Sequence, residues 1–113
     1  MLTDDFHAAM LNIYDEALRL KPPYPATRFR RMVLERGGLQ AAKDLLETRV
    51  PSDGFTELFM RGNRLDISVE YLVLKHPWRT LFEPRHLEEA RRRLMDRKFG
   101  LPPDDADAPK NSY

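Results

Sequence analysis

A chain of 113 residues, 42% hydrophobic and 33% charged, has the composition of one globular domain able to bury roughly 60–70% of its unfolded surface. It contains no cysteine, which excludes disulfide scaffolds and thiolate metal sites. The net charge of +1 conceals a polarity. Residues 1–16 hold Asp4, Asp5, Asp15 and Glu16 with no Lys or Arg, whereas residues 19–36 hold Arg19, Lys21, Arg28, Arg30, Arg31 and Arg36 against Glu35 alone.

The N-terminus, MLTDDFHAAML, carries acids where a signal peptide needs basic residues. No run approaches the ~20 apolar residues of a membrane span. A soluble, cytoplasmic protein with no membrane partner is therefore expected.

Phe6, Met10, Ile13, Tyr14, Ala17 and Leu18 recur at helical spacing, so the first helix is one-sided, with Thr3 as its expected cap. Pro22 and Pro23 end it, and Pro25 suits the start of the next helix. That helix runs to about Arg36 with Phe29, Met32 and Val33 inward, and Gly37-Gly38 terminates it. A third helix, Leu39 to about Thr48, buries Leu39, Ala42, Leu45 and Leu46. A turn through Pro51, Ser52, Asp53 and Gly54 leads to a short helix, Phe55 to Arg61, closed at Gly62-Asn63.

The next stretch, LDISVEYLVL from Leu65 to Leu74, is apolar nearly all round, as only a segment surrounded by others can be. Its Ile67, Val69 and Val73 would suit a strand equally well. Helix is preferred because Asp66 can serve as N-cap, Glu70 falls four residues later on the one polar stripe, and Pro77 stops the run. No other segment offers a partner strand, and a lone strand would leave its backbone unpaired. After a bend at His76-Pro77-Trp78, Trp78, Leu81 and Phe82 plug one end of the core. Pro84 opens the last long helix, with Leu87, Ala90, Arg91 and Leu94 on one face.

The expected fold is all-α: a compact single domain of five to six helices over residues 1–99, around a buried central helix at about 66–76. Residues 100–113, GLPPDDADAPKNSY, read as a disordered acidic tail.

The segments GFTELFMRGNRLDISVEYLVL, LF and LEEARRRL, with TRFRRMVLERGGLQAAKDLL upstream, resemble a family of short, functionally uncharacterised bacterial helical proteins. In that family a GFT-x-L-W turn precedes RLDLTVEALVL, and LF-x-x-x-E-L-x-x-AR-x-RL closes the chain. The resemblance covers roughly residues 24–94. Phe59 stands where the family has Trp, and Asn63 is an insertion between Gly62 and Arg64. The resemblance implies the helical fold and no particular activity.

Residues that could carry chemistry are few. His7, His76 and His86 lie on different elements without HxxxH or HExxH spacing. His86 and Glu89 could share a helix face, but the further ligand pair that a bundle carboxylate site needs is missing. His86 then reads as a solvated first-turn residue. No metal or cofactor is expected. Asp66 and Glu70, four apart, could do acid–base work if burial raised one pKa. The stronger reading is structural, with Asp66 capping and Glu70 paired to Arg64, Arg28 or Arg91, because an unpaired buried carboxylate costs several kcal/mol. No nucleophile elbow, dinucleotide fingerprint or phosphate loop is present. A non-enzyme is expected.

The candidate binding surface is basic: Lys21, Arg28 and Arg31 before and on the second helix, with Arg92 and Arg93 on the last. Side by side they would form a phosphate-binding stripe. Against this, Glu88–Arg92 and Glu89–Arg93 are i, i+4 pairs. The leading expectation is a non-catalytic protein-interaction or adaptor module, through a partner protein or self-association. The alternative is a nucleic-acid-binding protein using the basic helix around Arg28–Arg36.

Overall fold

The computed structural model describes residues 1–103 and 105. Those residues form an all-helical domain with no strand among them: α1 Leu2–Leu18, α2 Thr27–Arg36, α3 Gly38–Leu46, α4 Asp53–Met60, α5 Val69–Val73 and α6 Pro84–Asp96. Two short 3-10 turns, Leu65–Ile67 and Trp78–Leu81, flank α5.

The apolar stripe of α1 buries Phe6, Met10, Ile13 and Ala17. Phe6 has no exposure, and its ring sits 5.6 Å from Trp78 and 5.5 Å from Phe82. The expected plug at this end of the core is therefore formed by those aromatic rings. Leu18 is exposed, and Thr3 does not cap the helix, whose N-cap is Met1 without a side-chain bond.

Gly37 and Gly38 have separate reasons to be glycine. Gly37 sits at φ +87°, a backbone region closed to most side chains, and joins α2 to α3 within one residue. At Gly38 a Cβ would lie 2.7 Å from the Cα of His7, so the backbones of α1 and α3 touch there. The Gly38 amide donates to His7 Nδ1 at 2.9 Å, satisfying one of the first amides of α3 from a neighbouring helix.

The stretch expected as one central helix is buried but divided. Leu65, Ile67, Val69, Val73 and Leu74 all lie in the core. Ser68, however, is extended at ψ 159° and separates the 3-10 turn from α5. Its hydroxyl donates to the Leu65 carbonyl at 2.7 Å and accepts from the Tyr71 amide at 3.1 Å. This side chain competes locally with helical hydrogen bonding and caps the five-residue helix that follows. Asp66 therefore is not the cap. It lies on the outer side of the 3-10 turn, bonded to Arg64 at 3.0 and 3.1 Å.

The buried face of α5 packs on α6, while α1 packs on α2 and α3. On α6 the inward residues are His86, Ala90, Arg93 and Leu94. His86 is thus not solvated. Its Nδ1 accepts from the Glu83 amide in a capping box, and its Nε2 lies 2.9 Å from Glu47 Oε2.

The start of the expected disordered tail lies against the domain. Pro102 is buried, and the fully buried Asp105 carboxylate accepts from Arg79 and, through both oxygens, from Arg91. The rest of that tail lies outside the described residues.

Candidate binding surface and the Glu70 cavity

The two basic clusters have different fates. Arg28, Arg30 and Arg31 are exposed on α2, and Lys21 is exposed in the connection before it. None of Lys21, Arg28 and Arg31 has an acidic partner among the described residues; Arg30 lies over the Tyr14 ring, 5.6 Å from its centroid. Leu34 is half exposed in the same helix, one turn on from Arg30 and Arg31. The acids of α1 do not cover this face: Asp4, Asp5 and Asp15 are exposed and make no ion pair with it.

The cluster on α6 is withdrawn. Arg93 is 1% exposed and belongs to the interior. Its guanidinium donates to Glu70 at 2.9 Å, to Glu89 at 2.7 Å, to the Leu45 carbonyl at 3.1 Å and to the Thr48 carbonyl at 2.8 Å. A planar fork with several fixed donors suits this junction, where a lysine could not reach all four acceptors. Arg92 stays at the surface but is held between Glu89 and Asp96. The expected continuous stripe through Lys21, Arg28, Arg31, Arg92 and Arg93 is therefore reduced to its α2 half.

Glu70 is 2% exposed, and its partner is Arg93 rather than Arg64, Arg28 or Arg91. Burial pushes its pKa up, against the Arg93 hydrogen bond, and the Glu89 charge adds to the rise. One guanidinium is shared by two carboxylates here, so Glu70 is incompletely compensated. Asp66 moves the other way: the Arg64 hydrogen bond holds its carboxyl below the usual range. The two carboxylates share no hydrogen bond, and Asp66 faces outward while Glu70 faces inward. They do not form an acid–base pair.

A cavity of about 200 Å³ opens between α1, α2, α4 and the start of α5. Ile13, Ala17, Phe29, Met32, Leu58 and Val69 give it apolar walls. Ser68 and Glu70 contribute to its wall while bonded within the protein, and Tyr24, Arg28, Ser52 and Asp53 bring polar groups to it. Among the described residues no group of three or more His, Asp or Glu is placed to hold a metal ion. None of their helices is long and apolar enough to cross a membrane.

Compared with known proteins, the chain matches no family model, no curated protein and no solved structure.

Of the residues missed in the sequence, Arg93 matters most. Reading Leu87, Ala90, Arg91 and Leu94 as the inner face placed the stripe of α6 about a fifth of a turn away from where it lies. The signal was present. Glu70 on a segment buried all round required a buried cation, and Arg93 is three residues from Ala90 and next to Leu94. Glu83-Pro84-Arg85-His86 likewise carries a capping-box spacing, with His in the place usually held by Glu or Gln.

Proposed function

We propose that the protein is a non-catalytic interaction module that docks an acidic segment of a partner protein on the outer face of α2. One observation carries this reading: Arg30 and Arg31 stand exposed one turn before a half-exposed Leu34, with Arg28 exposed at the start of the same helix. Arginine beside exposed apolar surface is the composition that protein interfaces favour. Bidentate capture of carboxylates by guanidinium groups adds orientation to attraction.

The internal pairing of Arg92 and Arg93 argues against the nucleic-acid alternative. A ten-residue helix is about 15 Å long. With Lys21 it offers fewer cations than the ~6–10 phosphate contacts typical of a duplex-binding surface.

The test is a titration of the wild type and of the Arg28→Glu/Arg31→Glu double variant against two polyanions of equal charge. One is a short duplex DNA; the other is an acidic peptide carrying interspersed leucines. Preference of the wild type for the peptide, lost on charge reversal with the circular dichroism unchanged, supports the module. Tighter binding to duplex near 50 mM salt, falling with a log–log slope of about 0.9 per phosphate, would transfer the reading to nucleic acid.

A further inference from the structure

The cavity beside Glu70 shares Arg28 with the docking face, but its apolar walls and Asp53 have no part in docking through α2. We infer that it is a binding site for a small zwitterion with an apolar side chain, of the class of the aromatic and branched aliphatic α-amino acids.

Size comes first. At about 200 Å³ the cavity exceeds the ~150 Å³ apolar hole that accommodates a benzene ring, and falls short of the ~300 Å³ at which drug-sized pockets begin. It has room for one ring or one branched aliphatic group. The walls match such a group, because Ile13, Ala17, Phe29, Met32, Leu58 and Val69 present carbon.

The polar residues divide into two sets. Ser52, Ser68 and Glu70 already hold hydrogen bonds within the protein, Ser52 with Phe55, Ser68 with Leu65 and Tyr71, Glu70 with Arg93. They ask nothing of a ligand. Arg28 and Asp53 are different. Both line the cavity, both are exposed, and neither side chain makes a hydrogen bond or ion pair among the described residues, even with the other. A free cation from α2 and a free anion from α4 thus stand at an apolar cavity without neutralising each other.

The Tyr24 ring lies with them, its hydroxyl pKa raised by burial and by Glu57 and Asp53. A ligand complementary to this arrangement carries a carboxylate for Arg28, an ammonium for Asp53 and a compact apolar group for the interior. Asp53 belongs to the first turn of α4, where the helix dipole favours its charge while leaving its oxygens open to a ligand.

The experiment is a two-dimensional amide NMR titration of the full chain with L-phenylalanine and L-leucine. Glycine, phenethylamine and hydrocinnamate serve as ligands that each lack one part, and toluene lacks both charged groups. A ligand of about 12 non-hydrogen atoms supports a dissociation constant on the order of 1 mM or tighter. Saturable shifts at Phe29, Gly54 and Val69 with L-phenylalanine or L-leucine, and none with glycine, are expected.

Arg28→Ala should weaken L-phenylalanine at least tenfold and leave phenethylamine unchanged; Asp53→Ala should likewise weaken L-phenylalanine and leave hydrocinnamate unchanged. Arg31→Ala, on the same helix but outside the cavity, should leave amino-acid binding unaltered, which separates this site from the docking face. The inference is overturned if neither amino acid gives saturable shifts by about 10 mM, well above that expected constant. It is equally overturned if toluene binds as well as phenylalanine, or if Arg28→Ala and Asp53→Ala leave the affinities unchanged.

Discussion

Glu70 concentrates the chemistry of the interior in one side chain. Removing it by Glu70→Ala leaves Arg93 with Glu89 and two carbonyls, so the guanidinium is not stranded. The expected loss is on the order of 3 kcal/mol, the lower end of the ~3–5 kcal/mol for breaking a buried pair. Glu70→Gln keeps the shape and one acceptor and should cost less. Its pH dependence has a definite sign. Burial holds the native pKa of Glu70 above the ordinary value of 4.5, so the folded chain retains a proton that the unfolded chain releases. The contribution of Glu70 to stability is then greatest below 4.5 and diminishes as pH rises through the native pKa. Glu70→Gln removes that decline, so its destabilisation relative to wild type should shrink as pH rises. Denaturant melts of both proteins across this range measure it, and a penalty that grows with pH contradicts the assignment.

At the scale of elements, two substitutions test why the helices begin where they do. Ser68 rather than Asp66 caps α5, so Ser68→Ala should cost about 0.5–2 kcal/mol. Asp66→Ala, which breaks only a half-exposed pair with Arg64, should cost below about 1 kcal/mol. The reverse order would show that the central segment is one continuous helix after all. Gly38→Ala forces a methyl group into the His7 backbone and should cost roughly 1–3 kcal/mol by pushing α3 from α1. These details explain what the sequence could carry. Helices separated by proline and glycine were legible at once, because Phe6, Met10, Ile13 and Ala17 recur at helical spacing and Pro22-Pro23 and Gly37-Gly38 punctuate the chain. The break at Ser68 was not, because an all-apolar pattern has no phase to lose at a capping serine. The role of His7 was equally hidden, since its bond to Gly38 joins positions 31 residues apart.

Across the whole molecule, charge is sorted between interior and surface. Arg93 and Asp105 are drawn inward, Arg92 is neutralised beside Glu89 and Asp96, Arg36 pairs with Asp44, and Arg28, Arg30 and Arg31 are left to solvent. The surface formula of the sequence, two basic clusters, could not show this, because pairing depends on which face of α6 meets α5. Asp105 was illegible for a related reason: acidic, proline-rich composition reads as a tail, whereas Arg79 and Arg91 lie far back in the chain. Asp105→Ala should lower stability by roughly 2 kcal/mol, moderated because both arginines retain access to water. On the reading proposed above, the outer face of α2 meets a protein while α6 serves the fold. It is tested most directly by placing a photo-crosslinking amino acid in cells at Leu34 on α2 or at Met95 on α6, both exposed positions. The expected result is a discrete protein adduct from position 34, abolished by Arg28→Glu/Arg31→Glu, and none from position 95. An adduct formed only from position 95, or nucleic acid captured from position 34, would contradict it.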